Sequence, residues 1–456
     1  MGKLPVGPFD GRKKRSRCLA CAASHLKIRI GPIASDDKVV SPLVLGNLCK
    51  NKLHSSPRLA LSPSAGQIYY LTQYFDTFLQ HNNFSPGSQS FTDVIRLMKD
   101  SDMGTFLHDA VLSLGAMQAV KLNSSEGVAP SKAYGLAVHH YSKSVLGLRN
   151  ALGNFEQVPS TRHRILWTTH FLGLFELMND STGQGWIQHL VHGTSRALVA
   201  AGPASCYSGP DQRFFTEIKV FEVCRAIIFN EPTFLAEAEW RELVGKMKTS
   251  RNKDVVHSLD ELLDIIVLCS TLRVRAERLI YPETVDSRLS GQQLDEAYDI
   301  AQQGFLLRQN LIDWEAREKS PNRQEDGRES AVSGGFACLA RSFFSATSIY
   351  LSGVFDYEIT HWQKIGIVAP NLSEEEIQMH VATILTQTER VIHGSAISSL
   401  LVLFPLRVAG ARSWESWQQD LIMQNLTTVE RMFPVAAAFK EDLYGVWSRR
   451  ASPGVG

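Results

Sequence analysis

The chain has 456 residues, 44% of them hydrophobic, which supplies a core for one large domain or two to three ordinary ones and excludes a chain that is disordered throughout. Lys and Arg number 47 against 46 Asp and Glu, so any preference for nucleic acid or membrane must be local rather than carried by the net charge. Seven cysteines without a framework of paired spacings, and no apolar run ahead of a cleavage-like site, predict a reducing compartment rather than secretion.

The first segment, 1–30, contains a basic run made of Arg12, Lys13, Lys14, Arg15 and Arg17. Five clustered cations cannot pack into a core, so the run is expected to act as a nuclear import signal, with a phosphate-contacting arm or a plain solvated tail as the other readings. It leads into Cys18-Leu-Ala-Cys21, whose thiols are spaced to hold one edge of a zinc site. The stretch from Arg15 to Lys27 resembles the opening of the fungal binuclear zinc-cluster transcription factor family. There, basic residues precede C-x-x-C, and a basic helix leads to a third cysteine six residues on. The spacer Ala22 to Lys27 keeps that length, but Ile28 stands where the third thiolate belongs and no cysteine follows until Cys49. The resemblance therefore implies a truncated or degenerate cluster with Cys18 and Cys21 as remnant ligands. It implies less than one zinc per chain, zinc as a cofactor only if the cluster is completed, and no specific binding to paired CGG-type DNA half-sites. A single ion on Cys18, Cys21, Cys49 and either His25 or His54 is chemically allowed but needs a long unsupported loop to close.

Residues 31–63 read as a disordered linker, because Pro32, Pro42, Pro57, Pro63 and many serines break every periodic run. From Ser64 onward apolar residues recur at helical spacing. Ile68, Leu71, Tyr74, Phe75 and Phe78 trace the first face, and further periodic stretches lie near 91–99, 103–121, 131–152, 212–230, 255–281, 291–315, 336–356, 374–393 and 413–447. Capping boxes are expected at Ser64, Ser258, Ser290 and Ser373, each followed three residues later by Gln or Glu. Strand-like alternation is almost absent. The pattern predicts an all-α fold, an irregular multi-helix bundle or array spanning 64–448 behind a disordered basic N-terminus. The most membrane-like run, between Arg390 and Arg407, is too short and too interrupted by His393, serines and Pro405 to span a bilayer.

The stretch Arg162 to Pro203 is read as an αα-hairpin at the centre of this array, closed by Gly202-Pro203 and carrying the ring of Trp186 in its buried seam. Its histidines, His170, His189 and His192, have no Cys, Asp or Glu at ligand spacing and are expected to be packing or surface residues. Gly193 is expected to let a neighbouring helix come close. No zinc-protease, P-loop, dinucleotide or nucleophile-elbow motif occurs, so no catalysis is expected. Cys224, Cys269 and Cys338 read as core residues, Asp260, Glu261, Asp264 and Glu374 to Glu376 as first-turn acids, and Cys206 as the one thiol in a loop-like setting.

Several segments of the helical part resemble the regulatory, fungal-specific transcription factor domain of the same family. They are Tyr69 to Phe75, Ala110 to Met117, Trp186 to Gly193, Leu403 to Gly410 and Leu443 to Trp447. The resemblance implies a nuclear transcription regulator that acts through the transcriptional machinery or regulatory proteins, with a small-molecule effector and a homodimer as further expectations and no membrane partner. The alternative from the residues is a helical ligand-binding or enzymatic protein unrelated to transcription.

Overall fold

The computed structural model describes residues 64–451 apart from 87, 89, 100–105, 125–127, 153–158, 251–257, 282–289 and 320–330. The remnant cluster Cys18 and Cys21, the basic run Arg12 to Arg17 and the linker lie outside the described residues. Among the described residues the chain is all-α, with sixteen helices and no strand.

The first five helices are α1 (Ala65–His81), α2 (Ser90–Lys99), α3 (Phe106–Leu122), α4 (Pro130–Ala151) and α5 (Pro159–Asn179). Gln184–Ile187, a π segment Gln188–Ser195 and Arg196–Ala201 then run on as one helix, α6. The middle of the chain forms α7 (Gly209–Phe229), α8 (Ala238–Ser250), α9 (Ser258–Ile280), α10 (Gly291–Glu318) and α11 (Ala331–Asp356). It closes with α12 (Ile359–Lys364), α13 (Glu374–Gly394), α14 (Leu403–Arg412), α15 (Ser416–Met432) and α16 (Ala436–Ala451).

Local chemistry accounts for many of these boundaries. Ser64, Ser290 and Ser373 each sit in extended backbone and accept from the amide three residues on, while Gln67, Gln293 and Glu376 reach back to the cap amide. The fourth expected box, at Ser258, lies at the edge of the described residues, where α9 begins. The expected stretch 413–447 divides into α15 and α16, since Pro434 has no N–H to donate and cannot continue a helix. Helix α8 had no place among the expected stretches, yet its Trp240 is fully buried, stacked on Phe215 with ring centroids 5.6 Å apart.

The central hairpin forms as expected. Gly202, at φ 75°, occupies a conformation that costs a side-chain-bearing residue steric strain, and α6 stops there. A Cβ on Gly193 would stand 3.1 Å from Thr169, so this glycine does let α6 settle against α5. The hairpin is locked by Thr194, which donates to Thr169 at 2.9 Å, and by Tyr141 of α4, whose hydroxyl meets His189 Nε2 at 3.0 Å.

Among the described residues, distant parts of the chain meet at one parallel bridge, between Asn83 and Ile397. The Asn83 amide donates to the Ala396 carbonyl at 3.0 Å, the Ser398 amide donates to Asn83 at 3.0 Å, and the Ser398 hydroxyl donates to Asn82 at 2.9 Å. Those bonds fix the start of the 3-10 turn Ser399–Val402, which feeds α14 into the space beside the central hairpin. The apolar run between Arg390 and Arg407 is thus apolar because Leu400 to Leu406 are buried inside the array.

Candidate functional site

An apolar cavity opens where the hairpin, α7 and the C-terminal helices converge. The hairpin supplies Leu177, the turn residues Thr182 and Gly183, and Trp186. Phe221, Cys224, Ile228 and Phe229 come from α7, spaced so that one helical face looks inward. The wall from the C-terminal part is Leu400, Leu401, Leu403 and Phe404, closed by Val435 and Phe439 at the Pro434 corner.

No charged side chain lines this space. The Thr182 hydroxyl is already engaged, donating to Asp180 and accepting from the Gln184 amide at 3.3 Å. Burial pushes the Cys224 thiol up to about 12, so it faces the cavity as a neutral, weakly polar group. A charged ligand would therefore lose its hydration here without a compensating partner, whereas an uncharged apolar one would replace contacts that the walls lack.

The neighbouring layer is cross-linked by side-chain hydrogen bonds. Glu222 accepts from Arg225 at 2.7 and 3.1 Å, from Thr233 at 2.9 Å and from Ser195 of α6 at 3.0 Å, tying α7 to the hairpin. His170 lies behind Phe221 with ring centroids 5.0 Å apart, and burial drives its pKa down to about 3. His189 is held at about 4 for the same reason. Both are neutral packing residues at neutral pH, and His192, further along α6, is exposed.

The structure revises two expectations. Trp186 is half-buried rather than sealed in the hairpin seam, because its ring borders the cavity. Cys206, expected in a loop-like setting, ends the 3-10 turn Pro203–Cys206 and is fully buried, with burial pushing its thiol up to about 11. Asp211 nearby is engaged by His163 at 2.6 Å and Arg162 at 2.9 Å. A thiol so protonated and sealed is a poor nucleophile. Cys224 and Cys269 are buried and Cys338 is half-buried, as expected for core residues.

A second cleft of about 380 Å³ between α7, α8 and α9 includes Lys219 and Lys248. Asp264 bridges both lysines at 2.5 and 2.7 Å, so this residue is more than a first-turn acid and leaves little free positive charge for an anion. Among the described residues no group of three or more His, Cys, Asp or Glu is arranged to hold a metal, and no helix is long and apolar enough to cross a membrane. The cavity carried no signal in the sequence, since its walls come from four separated segments and each lining residue reads locally as core. No family model, curated protein or solved structure matches this chain.

Proposed function

We propose that the chain is a transcription-regulator-like protein whose helical domain responds to an uncharged apolar effector. The observation that carries the effector is the uncharged cavity at the meeting of the hairpin and the C-terminal helices. Occupancy would stabilise that meeting point, because a ligand that touches both sides favours the conformations in which they are closed. The regulatory role is supported by the resemblance of Tyr69 to Phe75, Trp186 to Gly193 and Leu403 to Gly410 to the family's helical domain, and by the basic run from Arg12 to Arg17 as a route into the nucleus. With Ile28 in place of the third cysteine, the regulator acts through protein partners rather than through its own recognition of DNA.

The neutral fluorophore 1-aminoanthracene, titrated into the full chain, tests the cavity. Emission and melting temperature should rise together, and Cys224→Trp and Leu403→Trp, which fill the space, should abolish the rise in emission. Binding that ignores both fillings would refute the site. Replacing Arg12, Lys13, Lys14, Arg15 and Arg17 by Ala in a fluorescent fusion should remove nuclear accumulation, and an unchanged nuclear signal would count against the regulator. Chemical turnover of a bound molecule would favour the enzymatic reading instead.

A further inference from the structure

Helix α10 carries two apolar stripes where a surface helix needs one. The inner stripe, Ile300, Leu307, Leu311 and Trp314, is buried, with Trp314 stacked on Phe344 of α11 at 5.4 Å. The outer stripe runs Tyr298, Gln302, Phe305, Gln309, Ile312 and Ala316, alternating spacings of four and three, and every one of these residues is exposed. Tyr298 is 53% exposed, Phe305 47% and Ile312 47%, and Leu306 beside them is 58% exposed. That alternation is the seam pattern of two helices packed side by side.

We infer that a second copy of this chain covers the stripe, with α10 pairing antiparallel to α10 of the partner subunit. Charge selects the direction. Continuing the same register places Asp295 at one end of the seam and Lys319, the C-cap, at the other, where Lys319 also pairs with Glu315 of its own helix at 2.6 Å. An antiparallel pair sets Asp295 against Lys319 of the partner subunit at both ends and aligns the helix dipoles favourably, whereas a parallel pair sets like against like at both. The antiparallel register also places each large side chain opposite a smaller or more pliant one: Tyr298 against Ala316, Phe305 against Gln309 and Ile312 against Gln302. Leu306 meets its own copy near the two-fold axis. On the flank, Asp299 is already neutralised by Arg275 at 2.6 Å, and Asp313 accepts from Gln309 at 2.8 Å.

The area suffices for a reversible dimer. A fully buried aromatic covers roughly 150–250 Å², so the half-exposed rings and two aliphatics leave on the order of 400 Å² of apolar surface per copy. Doubled and joined by the seam glutamines and end charges, this reaches the ~1,200 Å² of small specific interfaces.

Sedimentation equilibrium of the full chain tests the inference. The expected result is a monomer–dimer equilibrium in the micromolar range, weakened at least about tenfold by Phe305→Glu or Ile312→Glu with the circular-dichroism spectrum unchanged. Asp295→Lys alone should weaken the dimer, and Asp295→Lys combined with Lys319→Asp should restore it. A chain that stays monomeric at about 100 µM, or a dimer indifferent to Phe305→Glu, overturns the interface. Failure of the double variant to restore association overturns the antiparallel register.

Discussion

Gly115 is the position where the packing of the first helices is most exactingly determined, and Gly115→Ala should destabilise the protein although it improves a helix. The residue sits in α3 where that helix crosses α1. A Cβ built on it would lie 2.0 Å from the Leu71 carbonyl oxygen, 3.0 Å from the Leu71 carbonyl carbon and 3.2 Å from the Phe75 amide nitrogen. All three are backbone atoms, so no rotamer change relieves the contact. The two helices must separate by more than an ångström, and fully buried Leu71 and Phe75 would lose contacts with them. Phe75 packs edge-on to Phe171 of the hairpin, which carries the disturbance into the central seam. Replacing Gly by Ala inside a helix contributes about 1 kcal/mol of stability, while overpacking a tight core costs about 1–3 kcal/mol and more where only backbone can move. A net loss of up to about 2 kcal/mol follows, and more if the backbone cannot adjust. Gly245 in α8 provides the control, because nothing lies within 4 Å of a Cβ there and Gly245→Ala should stabilise by up to about 1 kcal/mol. Urea unfolding followed by tryptophan fluorescence measures both. Equal or raised stability in Gly115→Ala, with Gly245→Ala behaving as stated, would show the crossing to be looser than described.

Four further outcomes are expected. The folded-state pKa of His170 lies far below its ordinary value of 6.5, so the unfolded chain takes up the proton first and stability falls as pH drops from 6.5 toward about 3. At its limit that loss is on the order of 4–5 kcal/mol, and His170→Phe should flatten the acid limb of a pH–stability curve measured by urea unfolding; superimposable limbs would contradict it. Burial raises the pKa of Glu217, which is ringed by the Ser85, Ser88 and Ser90 hydroxyls, so its stability contribution is present at low pH and is lost as pH rises through the raised value. Glu217→Gln should therefore match the wild type near pH 4.5 and exceed it at pH 8, and a variant weaker at pH 8 would refute the assignment. Trp314→Ala, at a fully buried ring, should cost about 3–5 kcal/mol in chemical unfolding, and half-buried Trp186→Ala distinctly less; the reverse order would show the cavity wall to be misplaced. Elemental analysis of the purified chain should find less than one zinc, and two per chain would restore a complete cluster.

Much of the helical architecture was legible in the residues because its causes are local. Ser64, Ser290 and Ser373 start helices through hydrogen bonds made within three residues. Gly202 and Pro203 end the hairpin, and apolar spacing of three and four marks the buried faces. Pro434 was equally legible as a break, although the apolar pattern on either side of it reads as one stretch. Helix α8 escaped because only the burial of Trp240 distinguishes it from a polar surface segment.

What tertiary structure alone decided depends on residues far apart in the chain. The Asn83–Ile397 bridge positions Leu400 to Phe404 beside Trp186 and Cys224, and no local pattern tells a leucine that fills the core from one that borders a void. Trp186 and Trp314 look alike as large rings on apolar helical faces, but one faces the cavity and the other lies fully inside. The same holds for α10, whose two stripes are both present in the sequence, while the packing of α9 and α11 determines which of them is covered. Secondary structure follows from interactions spanning a few residues, so most of the helices can be read from the chain alone, α8 excepted. Cavities and open faces are what remains after all the helices have packed, and only the assembled tertiary structure decides them.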